Sequence, residues 1–261
     1  MRNSFTKDLS VDLFTDEIGI HPLLNLLKEL NMKARILVIT DKKWDKLSFH
    51  HAKISDEFQK ILIIRNRIDF DQIEDGCLGL SLGISEKIPL EIIQKYTHGI
   101  LNFHLGKLPT QKGANTVNWL VIRGETNTEF TLHVMTEQID SGPILHAVKI
   151  EIDFEDTAVD LVKKMCLAVG EFTMPINQFL MGTLVPRTQE IVAKKNFPRR
   201  SPEDGEFNWK MTNIEIYNMI RALVDPWPGA YFLDGNGNKI VIKHRLTISE
   251  IENLRRKYAL E

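Results

Sequence analysis

Beginning at Val11, short β-branched apolar runs alternate with segments whose leucines recur at helical spacing, and this alternation constrains the fold more than any other feature. VDLF reads as a strand, HPLLNLLKEL places Leu23, Leu26, Leu27 and Leu30 on one helical face, and ARILVIT from Ala34 is a continuous apolar strand. KILII and CLGLSLG, starting at Lys60 and Cys77, follow as further buried strands, with a helical turn or two from Leu90 to Tyr96. Strands apolar on both faces and separated by helices build a parallel sheet covered on both sides. The expected fold class is therefore α/β: a Rossmann-like, mostly parallel sheet with helices on both faces, plus a small α+β C-terminal subdomain. Ligands of such open sheets sit beyond the carboxyl ends of the strands, at the topological switch point. Chemistry is therefore to be sought in the loops after Ser81 to Gly83 and after His104.

Composition narrows the function. With 261 residues, 43% of them apolar, the chain is long enough for one large α/β domain with an appendage and too apolar for disorder. The pattern divides it into a main domain over residues 1–184 and a linker with a small subdomain over 185–261. Glu155 to Leu180 reads as one long helical stretch interrupted near Gly170 and Pro175; VPRTQEIVAKKNFPRRSPEDGEFNW is polar and proline-punctuated, a surface linker. A helix (TNIEIYNMIRAL), a hairpin turning on DGNGN and a last helix from Ile248 to Tyr258 follow. Net charge is −2, so the bulk electrostatics advertise neither nucleic acid nor an anionic membrane surface. No run approaches the length of a membrane span and no leader is visible, which predicts a cytoplasmic protein without a membrane partner. Cys77 and Cys166 sit in apolar runs as small structural thiols, His50-His51 lack carboxylate or thiol company, and no metal site is expected. The turn after the first strand, FTDEIGIHP, has one glycine and no G-x-G-x-x-G, which argues against a dinucleotide and hydride transfer.

In strand-like GILNFH, Asn102 and His104 are two residues apart, so both side chains leave the same face at a strand's carboxyl end. Another strand, TLHVM from Thr131, is followed by IDSGPI, whose Asp140 lies in a glycine-containing turn from which a carboxylate can fold back onto the imidazole. Asn, His and Asp supply a donor for an oxyanion, a base near neutral pH and a charge to orient it. No serine or cysteine nucleophile accompanies them, and that suits direct attack by a substrate amine. His133, within TLHVM, is either a core group or a neighbour of this set.

The ordered series NFHLGKLP, KGANTVNW, GET, TLHVM and IDSGPI resembles the formyltransferase core, N-x-H-x-S-L-L-P…R-G…W…G-E…T-x-H-x-M…x-D-x-G. The resemblance runs from about Cys77 to Gly182. It returns in RRSPEDG, NMIRA and DPWPGA, similar to the extension of N-formyltransferases that act on nucleotide-linked amino sugars and of methionyl-tRNA formyltransferases. It implies N10-formyltetrahydrofolate as formyl donor and Asn102, His104 and Asp140 as the catalytic set. It also implies a pterin pocket at the loop GISEKIPL, with Ser85, Lys87 and Ile88 on one wall and Glu137, Gln138 and Ile139 on the other. Ser85 also reads as a helix N-cap. Departures from the pattern are Gly106 for Ser, Lys107 for Leu, Lys112 for Arg, and Glu129-Phe130 for Gly-Val. A lysine meets a phosphate as a point charge where an arginine grips it as a fork.

Among the family's acceptors, a tRNA demands a broad positive surface, yet residues 186–261 hold thirteen basic against ten acidic side chains. The resemblance therefore favours a nucleotide-diphosphate-linked amino-deoxysugar of the 4-amino-4,6-dideoxy type, made for a bacterial surface glycan such as the O-antigen of lipopolysaccharide. Methionyl-tRNA formylation and a catalytically silent folate or nucleotide-sugar binding module are the alternatives. Lys107, Lys112, Arg199 and Arg221 are the candidate pyrophosphate contacts, with Lys194, Lys195 and Arg200 as further cations. Trp209 and Tyr217 are candidates for stacking on the base, ahead of Trp227 and Tyr231. Apolar positions in the C-terminal hairpin leave a homodimer open.

Overall fold

The computed structural model describes residues 9–40, 57–65, 67–84, 86–192 and 196–259. His50, His51, Ser85, Lys194 and Lys195 lie outside the described residues. Seven strands form one sheet: β1 (Ser10–Thr15), β2 (Lys33–Thr40), β3 (Lys60–Ile64), β4 (Leu78–Leu82), β5 (Ile100–His104), β6 (Asn127–Val134) and β7 (Ile144–Glu151). Their spatial order is β3-β2-β1-β4-β5-β6-β7. The pairs β1/β2, β2/β3, β1/β4 and β4/β5 are parallel, and β5/β6 is antiparallel. The order reverses between β1 and β4, the crevice expected of a doubly wound sheet. Every residue of β4 is buried, which is why it reads as an unbroken apolar run.

The chain divides into two compact units, one of residues 1–109, 130–148 and 166–193, the other of 110–129, 149–165 and 194–261. In the first unit, helix α1 (Glu17–Leu30) is opened by Asp16, whose carboxylate accepts from the Ile18 amide at 3.2 Å, and closed by Asn31 in the left-handed conformation, φ 57°. One sheet face packs Phe14, Ile36, Val38 and Ile100 with Ile88, Tyr96 and the Ile92 and Ile93 side chains of the short helix α2 (Leu90–Ile93). From the other face Phe103 meets Phe130 and Phe172, with Phe172 edge-on to both at 5.2 Å between centroids. Asp12, 1% exposed, is held by the Arg35 guanidinium through contacts of 2.9 and 2.6 Å and by the Tyr96 hydroxyl at 2.6 Å.

The stretch expected to be one interrupted helix is α4 (Ala158–Leu167), a 3₁₀ turn at Ala168–Phe172 and α5 (Thr173–Leu180). The break lies at Gly170. Pro175 causes none, because it falls in the first turn of α5, where a backbone N–H has no intrahelical partner to lose. The polar stretch after Val185 carries a 3₁₀ turn at Pro202–Gly205 and is tied down near its start, where Arg187 and Ile144 exchange two backbone hydrogen bonds of 2.7 Å.

In the second unit, α3 (Thr116–Ile122) packs on α6 (Asn213–Ala222), and the buried Asn118 amide donates to the Ala222 carbonyl at 2.6 Å. Strands β8 (Ala230–Leu233) and β9 (Lys239–Ile242) form the hairpin, and Asp234 holds its turn by accepting from the amides of Asn236 and Asn238. The last helix, α7 (Ile248–Tyr258), starts in a capping box of Thr247 and Glu250.

Candidate active site

Strand β5 is the platform. Its alternation puts Asn102 and His104 on the face that also carries Ile100, while Phe103 points to the opposite side. Antiparallel register sets His133 of β6 directly opposite Asn102, and Thr131 opposite His104. Across such a pair the side chains stand on one face within contact distance. Asn102 Nδ2 lies 3.1 Å from His133 Nε2, and His133 Nδ1 lies 3.0 Å from the carbonyl oxygen of its neighbour Val134. A carbonyl only accepts, so Nδ1 carries the proton of the neutral ring and Nε2 offers a lone pair to the Asn102 amide. His133 is 2% exposed.

Asp140 arrives from the turn after β6. It adopts φ 52°, in the left-handed region, and Gly142 permits the turn to close, since a Cβ there would stand 1.7 Å from the Val134 carbonyl oxygen. Thr136 Oγ1 donates to the Gln138 carbonyl at 3.1 Å, and Ser141 Oγ to that of Ile139 at 3.0 Å. The carboxylate Oδ1 stands 3.4 Å from His104 Nδ1 and 3.7 Å from His133 Nε2. His104 is 6% exposed, so the charge works through little water and orients the ring. With Nδ1 turned to the carboxylate, the neutral ring of His104 carries its proton there and its lone pair on Nε2. Thr131 Oγ1 donates to the Gly106 carbonyl at 2.8 Å and fixes the loop leaving β5. An amide, two imidazoles and a carboxylate thus converge around one point on the sheet face.

The walls expected for a pterin are a mixture. Ile88 is buried in the apolar cluster, with Ile84 and Met135 packed against it; Lys87, Glu137, Gln138 and Ile139 are exposed. Both segments therefore meet the same cluster, one through Ile84 and Ile88, the other through Met135. Among the described residues no group of three or more side chains is arranged to hold a metal ion, and no helix is long and apolar enough to cross a membrane.

Two family models match the chain: formyl transferase over residues 83–171 and formyl transferase, C-terminal domain, over residues 199–254, together more than half of its length. The chain belongs to the formyltransferase family of enzymes. All four converging side chains fall inside the first match. The chain is 39% identical over 137 residues to the bifunctional polymyxin resistance protein ArnA of Wigglesworthia glossinidia brevipalpis, which is 51% of this chain and 20% of that protein. It thus spans about a fifth of that curated relative. Its fold matches a 4-N formyltransferase from Francisella tularensis with a TM-score of 0.75 at 20% identity, over 92% of this chain and 98% of that one. It also matches the N-formyltransferase of Helicobacter canadensis, solved with folinic acid and dTDP-3-aminofucose, with a TM-score of 0.62 at 21% identity, over 84% and 80%.

The side chains expected to meet the acceptor are distributed unevenly. Lys107 is exposed on the loop after β5. In the second unit, Lys112 and the exposed Arg199 stand on neighbouring segments, because the Phe197 amide donates to the Lys112 carbonyl at 2.7 Å. Arg221 is 2% exposed and donates to the Asp156 carbonyl at 2.6 Å and to Asn218 at 2.9 Å; burial lowers its pKa. Tyr217 is 4% exposed and stacks on Phe154 at 4.8 Å. Trp209 packs edge-on to Phe207 and Phe232. These last three are tied into the packing of their own unit, where residue type alone had marked them as ligand contacts.

The cysteine thiols are half-buried, and desolvation pushes both upward, Cys166 to about 11 with the charge of Asp16 adding to it, so neither offers a thiolate at neutral pH. Two further residues bear on the site. His133, open between core and site in the sequence, is set opposite Asn102 by strand register. Gln189, whose amide donates to the carbonyls of Asp140 at 2.9 Å and Gly142 at 2.7 Å, carries no sequence signal.

Proposed function

We propose that the protein transfers the formyl group of N10-formyltetrahydrofolate to the amine of an amino-deoxysugar carried on a nucleoside diphosphate, with a 4-amino-4,6-dideoxy sugar as acceptor. The observation that carries this is the meeting of Asn102, His104 and Asp140 on one sheet face with no side-chain nucleophile among them. The neutral amine attacks the formyl carbon, a C–N bond forms, and the carbonyl oxygen becomes an oxyanion. Asn102 has one amide hydrogen turned to His133; its second donates to that oxyanion, a contact worth about 10²–10³ in rate. His104 Nε2 takes the amine proton, and Asp140 stabilises the resulting imidazolium. Collapse of the intermediate breaks the bond to N10, which leaves as tetrahydrofolate with that proton.

The 4-amino position is supported by the fold shared with the Francisella enzyme, and the nucleotide-linked sugar by the ligands of the Helicobacter enzyme. The product would enter a bacterial surface glycan such as O-antigen. The purified protein, incubated with the formylfolate donor and a panel of nucleotide-linked 3-amino and 4-amino sugars, should yield a product heavier by one CO unit. Formylation of charged initiator tRNA instead, with steep salt dependence, would refute the sugar reading, and ligand binding without turnover would refute catalysis.

A further inference from the structure

Gln189 sits on the segment after Val185, held beside the sheet by the two Arg187–Ile144 backbone hydrogen bonds. Its amide nitrogen donates to two carbonyls at once, that of Asp140 at 2.9 Å and that of Gly142 at 2.7 Å. Its Oε1 is buried and has no hydrogen-bond partner among the described residues. The orientation is nevertheless forced, since turning the amide over would set Oε1 against both carbonyl oxygens and take the Gln189 donor from two part-buried acceptors.

We infer that Gln189 is a positioning residue for formyl transfer: it clamps the left-handed turn at Asp140 so that the carboxylate stays on His104. This rests on the reading of Asn102, His104 and Asp140 as the reacting set and adds the element that holds the third of them. Three observations converge on it. Asp140 occupies φ 52°, which a side chain with a Cβ adopts at a cost. The His104–Asp140 separation, 3.4 Å, leaves little room before the contact is lost. Thr136 and Ser141 bond the carbonyls of Gln138 and Ile139, before Asp140, and the Gln189 amide bonds the carbonyls of Asp140 itself and of Gly142 beyond it. Gln189 makes no contact with His104, His133 or Asn102 in the structure's hydrogen bonds, so its effect must travel through the position of Asp140.

Two variants of nearly equal shape test this. Gln189→Met removes both donors, and Gln189→Glu replaces them with acceptors facing two carbonyls. In the full chain each should lower kcat for formyl transfer by about ten- to a hundredfold, the scale of a misplacement near 1 Å, with KM for donor and acceptor changed less than about twofold. In an Asp140→Asn background the same substitutions should cost less than about twofold further, because the group they position is already lost. Hydrogen exchange of the 137–143 segment should accelerate in both variants while the core strands keep wild-type protection. Losses that multiply in the double variants, or a wild-type kcat in the single ones, would overturn the inference. So would unchanged exchange of the turn, and this arm decides the clamp even for a wild type that formylates no amine, an outcome that would refute the proposed reaction instead.

Discussion

Replacing His133 with phenylalanine isolates what this imidazole does for Asn102. The phenyl ring fills nearly the same space in a site 2% exposed, but it removes the acceptor that stands 3.1 Å from Asn102 Nδ2. A hydrogen bond between neutral partners contributes about 0.5–1.5 kcal/mol net, which biases the two orientations of the Asn102 amide by about twofold to thirteenfold. Without that bias the amide presents its oxygen to the reacting centre for much of the time, and an oxygen repels the oxyanion it should stabilise. Accordingly, the productive fraction should fall to about one half and kcat by no more than about twofold, well short of the ~10²–10³ expected for Asn102→Ala. The His133 Nδ1 bond to the Val134 carbonyl is also lost, so a stability decrease of ~1 kcal/mol accompanies the change and is measured separately by denaturant titration. Steady-state kinetics on wild type, His133→Phe, Asn102→Ala and the double variant close the cycle. If His133→Phe lowers kcat equally in the presence and absence of the Asn102 amide, the imidazole does not act through that amide and the reasoning fails.

His104→Ala should reduce turnover by about 10²–10⁴ while leaving the affinity for the nucleotide-linked sugar, measured by calorimetry, close to that of wild type; near-normal turnover would exclude His104 as the base. Tyr96→Phe removes the hydroxyl that donates to the buried Asp12 carboxylate at 2.6 Å and should destabilise the fold by about 1.5–3 kcal/mol at neutral pH. Burial, then the Asp12 charge and hydrogen bond, raise the Tyr96 pKa above its ordinary value. Its contribution is therefore present below about pH 10, where the unfolded tyrosine is protonated, and is lost above it at about 1.4 kcal/mol per pH unit, so the gap between wild type and Tyr96→Phe should shrink in alkaline unfolding curves. Ser81 is fully buried and its hydroxyl has no hydrogen-bond partner among the described residues, so Ser81→Ala should leave stability unchanged or raise it within about 1 kcal/mol; a clear loss in thermal unfolding would mean the hydroxyl is bonded in solution.

The parts of the molecule that sequence made visible are those written in side-chain periodicity. Leu78–Leu82 is buried along its whole length and could be read as a strand from five residues, and the two-residue spacing of Asn102 and His104 was enough to put them on one face. The break at Gly170 was also readable, whereas Pro175 only looked like one, because proline in a helix's first turn and proline in its middle are the same letter. His133 was undecidable for a related reason. Which face a strand residue joins depends on the register with its neighbour, and register is a property of the pair. Arg221, Tyr217 and Trp209 qualify by chemical type, but type does not say whether a guanidinium meets a phosphate or, as Arg221 does, the carbonyl of Asp156. Gln189 was invisible because it acts on backbone carbonyls, which every residue has.

The direction of β6 explains why so much of the site depends on such contacts. Had β6 run parallel to β5, its carboxyl end would have delivered the following residues beside His104, as the parallel strands deliver theirs to one edge. It runs the other way: Thr131 pairs with His104, Val134 with Leu101, and the Met135 amide donates to the Ile100 carbonyl at the far end of β5. The chain leaves β6 at the end away from His104 and must double back across the sheet face before Asp140 can reach that imidazole. Asn102, His104 and His133 stand on paired strands, whereas Asp140 stands on a return turn. Its accuracy rests on a glycine that lets the turn close against Val134, on the turn's own hydroxyl bonds and on one glutamine amide from a distant segment. Substitutions that loosen that turn should therefore reduce activity before they reduce stability, and substitutions in the three strand-borne groups should do so without changing the turn's exchange rate. In the proposed mechanism the sheet supplies the oxyanion donor and the base, and the turn supplies the charge that makes the base effective.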